Sequence, residues 1–193
     1  MNIILDKIIA EINASISAAL LQSRYDGKVI YGLTEKRMHK DVTAPCTVSE
    51  QGRITPIFLD SKIPLLLYHK INGTSFEFDA ERSFGKSILQ KATHTMSLVF
   101  FSMKTKTQLD GPALEQIIEQ SMPATWSKTF KKNTALKYLN TRVLSCDHDA
   151  AGIYKKEWIG LKDPNIIPES SLIEVRYQIA RTYKAGCAVN CCN

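Results

Sequence analysis

Leu5, Ile8, Ile9, Ile12, Ile16, Ala19 and Leu20 recur at helical spacing, while Asp6, Lys7, Asn13, Ser17 and Gln22 fall on the other faces. A stripe of that period predicts an amphipathic helix from about Ile3 to Ser23, ended by Asp26-Gly27. Lys28 to Leu33 then reads as a short strand. Residues 34–62 are polar and irregular, carry Pro45 and Pro56, and predict an extended loop. Leu65 to Ile71, Asn72-Gly73 and Thr74 to Phe78 match a two-residue β-hairpin, in which His69 opposes Phe76 and Leu67 opposes Phe78.

Thr93 to Lys104 alternates Met96, Leu98 and Phe100 with Val99, Phe101 and Met103. Both faces are apolar near its end, so this strand belongs at the centre of a sheet. Asp110 is placed to cap a helix running to about Met122, with Pro112 in its first turn and Leu114, Ile117 and Ile118 facing inward. Pro123 blocks its extension. Leu136 to Cys146 and Ser171 to Tyr183 read as two more strands. The second places Ile173, Val175, Tyr177 and Ile179 on one face and Glu174, Arg176 and Gln178 on the other. Residues 147–170, around Trp158 and Pro164, predict a second long loop.

Strands that mostly follow strands, with two helices for one face, give an α+β fold with an antiparallel or mixed sheet. The chain of 193 residues suits a single domain, 1–193, with extended loops at 34–62 and 147–170 and a C-terminal arm at 184–193. An apolar share of 44% and a charged share of 23% exclude a disordered or fibrous chain. No stretch has the roughly 18 uninterrupted apolar residues of a membrane span. Asp6, Lys7 and Glu11 interrupt the apolar N-terminus, so it does not read as a signal peptide. Five cysteines in a chain of this length form no disulfide framework and point to a reducing compartment.

The net charge of +6 is uneven. Residues 82–146 hold ten basic and three acidic residues, and the rest of the chain is close to neutral. Such a region can face phosphate, nucleic acid or an acidic protein, or can simply be solvated. Within it Lys128, Lys131 and Lys132 interleave with Trp126, Phe130 and Tyr138, the composition of buried anchors or of a subunit contact rather than of a base-stacking surface.

Candidate chemistry is sparse. Ala80 to Ser87 fits a relaxed phosphate-loop pattern, but it leaves an amphipathic strand and has alanine at the first glycine position. Cys46, Cys146, Cys187, Cys191 and Cys192 include no Cys-x-x-Cys pair, so zinc is not indicated. Asp147-His148-Asp149 beside Cys146 suggests a metal or a Cys–His pair, yet neighbours on a strand point to opposite faces, and a polar loop tip explains the run. His69 reads as a packed sheet histidine, and His39 and His94 show no partner. The pattern assigns no catalytic residue, cofactor or metal.

The layout of N-terminal amphipathic helix, polar loop, antiparallel sheet, enclosed helix and long C-terminal strand resembles the tail-terminator and head–tail connector proteins of tailed bacteriophages. The local text does so too: Val29 to Leu33, Leu67 to Ile71, Met96 to Phe101 and Ser171 to Tyr177 are similar to segments of neck ring proteins, including those of crAss-like phages. This likeness of pattern and order covers most of the chain. It implies a non-catalytic virion protein, assembled in the host cytoplasm into a neck or tail ring. Its partners would be copies of itself, portal, adjacent-ring or tail proteins, and passing DNA. Contact candidates are Trp126, Lys128, Phe130, Lys131, Lys132 and Trp158. The alternative is a nucleic-acid-binding accessory protein using the basic region 82–146.

Overall fold

The computed structural model describes residues 3–22, 28–78, 89–122, 136–162 and 167–184. In chain order these form helix α1 (Ile3–Gln22), strands β1 (Lys28–His39), β2 (Val42–Val48), β3 (Ile54–Pro56), β4 (Leu65–Phe78) and β5 (Leu89–Met103), a helical turn α2 (Lys104–Thr107) and helix α3 (Gly111–Ser121). Strand β6 (Leu136–Asp147), helix α4 (Ala150–Glu157) and strand β7 (Ser170–Lys184) complete the set. The strands make one mixed sheet in the order β3-β2-β1-β4-β5-β7-β6. Among the described residues only β1 and β4 pair in parallel, and every other strand pairing is antiparallel. The fold is therefore α+β, as the order of elements predicts.

Alternation along the long strands sorts their side chains onto two cores. Leu65 and Leu67 of β4, Met96, Leu98 and Phe100 of β5, and Ile173, Val175, Tyr177 and Ile179 of β7 face one side, beneath α1 and α3. Leu66, Tyr68, Val99, Phe101, Met103 and Leu172 face the other, where Ile153, Tyr154 and Trp158 close over them. Strand β5 is thus central and apolar on both faces, as its pattern requires. Helix α3 begins as expected: Asp110 accepts from the Ala113 N–H at 2.9 Å, and Pro112 sits in the first turn, where no intrahelical donor is lost.

Three expectations are corrected. Residues 34–62 are not one loop. Strand β1 runs on to His39, turns at Lys40-Asp41 and returns as β2, with β3 beside it. Most side chains of Glu35–Met38 are exposed, so this ribbon lacks the alternation that marks a half-buried strand. The Asn72-Gly73 hairpin does not form. Strand β4 passes straight through it, pairing with β5 from Leu65↔Ser102 to Phe78↔Gln90 with a bulge between Ile71 and Gly73. Gly73 lacks the positive φ of a type I′ turn, because pairing along the whole of an apolar central strand outweighs one local turn. Residues 147–170 contain α4, capped by Asp149 accepting from the Gly152 N–H at 3.0 Å. That helix packs on the face opposite α1 and α3, so the sheet is covered on both sides. The phosphate-loop lookalike and the arm beyond Lys184 lie outside the described residues.

Candidate functional site

The sheet forks beside its centre. Strands β1 and β4 run together from Lys28↔Leu65 to Thr34↔Lys70, and the Thr34 hydroxyl donates to the His69 carbonyl at 2.9 Å where they part. From Glu35 onward β1 pairs with β2, while β4 continues to Phe78 with β5 on its other side. A cleft of about 970 Å³ opens in the fork, bordered by Asp6, Thr34, Lys36, Glu50, Lys70, Asn72 and Lys156.

Two buried carboxylates form the charged part of this region. Glu157, the last residue of α4, is 0% exposed, and Glu174, mid-strand in β7, is 1% exposed. Lys70 reaches both, 2.5 Å from Glu157 Oε1 and 3.0 Å from Glu174 Oε1. Lys36 adds a contact to Glu157 at 3.3 Å, and Lys156 donates to Glu174 at 2.7 Å. Neutral donors fill the remaining positions. The Tyr68 hydroxyl donates to Glu157 at 3.1 Å, the Ser97 hydroxyl donates to Glu174 at 2.5 Å, and the bulged Asn72 donates to Ser97 at 2.7 Å. Burial alone would raise the Glu174 pKa, but hydrogen bonds from Lys156, Ser97 and Lys70 outweigh it and pull the value down to about 2. Burial and the Glu157 charge push the Tyr68 phenol well above its ordinary range. The lysines are thus committed to the glutamates, and the arrangement clamps α4 to the sheet.

The fork also leaves an open strand edge. Among the described residues nothing pairs with β4 on the β1 side from Ile71 to Phe78. Phe76 is 65% exposed there, and Met38, near the tip of the β1–β2 ribbon, is 79% exposed. Val48, Ile54 and Phe58 extend the exposed apolar character of the ribbon. Unpaired backbone next to exposed aromatic and aliphatic side chains is a surface suited to another strand.

Of the contact candidates drawn from the sequence, Trp126, Lys128, Phe130, Lys131 and Lys132 lie outside the described residues. Trp158 is described, and it is internal. It is 1% exposed, stacks on Tyr154 at 5.2 Å between centroids, and donates its indole N–H to the Ile57 carbonyl at 2.8 Å. The ring that the sequence places in the second long loop, as a contact candidate, instead anchors α4 to the segment after β3. Trp158→Phe is expected to cost about 1–2 kcal/mol in urea unfolding, because the Ile57 carbonyl loses its buried donor while most of the ring volume is retained. A cost below ~0.3 kcal/mol would argue against that anchoring role.

A second cluster lies on the other face, where α3 meets the end of β6. Glu115 Oε2 is 2.8 Å from His148 Nε2, and one ligand atom each from Glu115, Cys146 and His148 lies within 4.8 Å of the others. Burial pushes the Cys146 thiol up to about 12, assisted by the charge and hydrogen bond of Glu115 and by the charges of Asp147 and Glu119. The sequence reads this run as a polar loop tip because strand neighbours point to opposite faces, but Cys146 and His148 are two residues apart and converge on a carboxylate of a different element. His69, expected to be packed within the sheet, is so, between Tyr177 and Asn13. His94, expected to have no partner, is hydrogen-bonded to Thr74 at 2.9 Å. The thiols of Cys46 and Cys146 are both free.

No family model and no curated protein matches the chain.

Proposed function

We propose that the chain is a structural subunit of the neck or tail of a tailed bacteriophage. It assembles into a ring with copies of itself and contacts portal, adjacent-ring or tail proteins without catalysing a reaction. The observation that carries this reading is the edge of β4 from Ile71 to Phe78, unpaired on its β1 side among the described residues, beside the exposed apolar ribbon β1–β2–β3. A closed ring requires two different surfaces that meet head to tail, and an edge paired with a projecting ribbon supplies such a pair. The resemblance to connector and terminator proteins, in the N-terminal amphipathic helix, the helix enclosed between strands and the long C-terminal strand, supports the same reading.

Sedimentation and electron micrographs of the purified chain test it, alone and with portal or tail proteins. Assemblies of defined size are expected, and Phe76→Lys, at an exposed position on the open edge, is expected to shift them toward monomer. A monomer at every concentration, indifferent to neck and tail proteins, would overturn the reading. Were that monomer to bind DNA with a steep loss of affinity between low and moderate salt, the basic region 82–146 would carry the function instead.

A further inference from the structure

Glu115, Cys146 and His148 bring a carboxylate, a sulfur and an imidazole nitrogen together from two places in the chain, in a half-buried to exposed position open to solvent. We propose that these three side chains bind one zinc ion per chain, with the fourth coordination position open.

The donor set argues for zinc. A thiolate and an imidazole select a borderline-soft transition metal over calcium or magnesium, and three protein ligands with an open position form a recurrent zinc arrangement. The geometry is close to what the ion requires. Tetrahedral zinc with bonds of roughly 2.0–2.3 Å holds its ligand atoms roughly 3.3–3.8 Å apart. The His148–Glu115 pair at 2.8 Å needs to open slightly, and the remaining separations, none above 4.8 Å, lie within reach of side-chain rotation.

The backbone makes room for this placement. A Cβ on Gly111 would stand 2.5 Å from His148 Nδ1, so a side chain at the start of α3 would displace the ring that points at Glu115. Glu119 and Asp147 add negative charge close enough to Cys146 to act on its thiol, and that field also favours a cation. Hydrogen bonds now connect the ligand atoms. Zinc replaces them by taking the thiolate, with the Cys146 proton passing to the buffer and the imidazole proton residing on Nδ1. The bound ion would tie α3 to the corner between β6 and α4, two elements far apart in sequence, and this holds whether or not the chain forms rings.

Cys187, Cys191 and Cys192 can bind metal themselves, so the test uses the full-length chain with those three replaced by serine. Zinc content after dialysis, and the sulfur-to-cobalt charge-transfer absorption on titration with Co²⁺, are measured in this background. One equivalent of zinc, a charge-transfer band and a raised melting temperature on zinc addition are expected. Cys146→Ser should abolish the band, and Cys146→Ser and Glu115→Gln should each weaken zinc by more than the about 10–100-fold that follows loss of an outer-shell partner. Glu115→Gln keeps the proposal testable should Cys146→Ser fail to fold. Less than half an equivalent in the parent, or unchanged zinc affinity in either folded variant, would overturn the site.

Discussion

Lowering the pH from 7 to 5 is expected to remove about 3–4 kcal/mol of folding stability, measured by urea unfolding at the two pH values. The cause is a pair of buried histidines. His69 lies under α1 with both ring nitrogens occupied, Nδ1 2.7 Å from the Tyr177 hydroxyl and Nε2 2.8 Å from Asn13 Oδ1. The Asn13 amide nitrogen already donates to the Tyr31 carbonyl, so its oxygen accepts from Nε2 and the Tyr177 hydroxyl donates to Nδ1. A neutral ring satisfies the site, and burial lowers the His69 pKa from 6.5 to about 3. His94 is also buried, with Nδ1 bonded to Thr74 and Nε2 without a hydrogen-bond partner among the described residues. Burial, and then the charge of Arg181, lowers its pKa to about 4.

The direction follows from proton counts. Below pH 6.5 the unfolded chain takes up two protons that the folded chain refuses, so stability falls as pH falls. The loss continues until the folded histidines titrate near 4 and 3. Because both folded values lie below 5, the loss down to pH 5 depends almost wholly on the ordinary histidine value, about 1.9 kcal/mol for each ring. Glu174 adds only about 0.2 kcal/mol in that interval. Its carboxylate is held ionised to about 2, and most of its loss falls below pH 4.5. His69→Gln or His94→Gln should each remove about half of the difference between pH 7 and pH 5. A stability that is flat across this interval would mean that the rings are hydrated or charged in the folded protein.

The elements legible in the sequence are those whose own residues carry the signal. Helix α1 declares itself by an apolar stripe, α3 by Asp110 and Pro112, and β5 and β7 by alternation against the two cores. What escapes is set by contacts between distant residues. Asn72-Gly73 is a good local turn, but β5, more than fifteen positions further on, holds β4 straight through it and turns Asn72 into a bulge donating to Ser97. The ribbon formed by the end of β1 with β2 and β3 shows no periodicity because much of it is exposed. Helix α4 is short, and its strongest signal, the Asp149 cap, also reads as part of a polar loop tip. Both charged clusters are invisible for the same reason. Glu115 is 33 positions from His148, and Lys70 is 87 from Glu157, so nothing in either local pattern links the partners. Glu174 illustrates the limit most clearly. Alternation correctly puts it on the face opposite Val175, but α4, together with the segment around Ala44 and Ile57, closes that face from elsewhere in the chain.

Lys70→Met is expected to cost about 3 kcal/mol, the lower end of the 3–5 kcal/mol that follows removal of one partner from a buried ion pair. Lys70 is the only lysine within salt-bridge distance of both Glu157 and Glu174 among the described residues. Its loss leaves two carboxylates in a site that α4 shields from water, each with one remaining cation: Lys36 at 3.3 Å for Glu157 and Lys156 at 2.7 Å for Glu174. Those two lysines are more exposed than Lys70, so water screens them more and they recover only part of the loss. Adding Glu157→Gln to Lys70→Met removes the more poorly compensated charge while Tyr68 can still donate to the amide oxygen. The double variant should therefore be more stable than Lys70→Met alone, by at least about 1 kcal/mol, a coupling that a double-mutant cycle measures. A cost below ~1 kcal/mol for the single variant would mean that the cleft hydrates both glutamates and that α4 is held by its apolar contacts alone. The position of Lys70 gives the result a wider meaning. It is the last residue of β4 that pairs with β1, so the same side chain that neutralises the carboxylates marks where the sheet divides. Weakening it is expected to loosen α4 and the root of the exposed ribbon together, which ties the stability of the fold to the surface proposed for assembly.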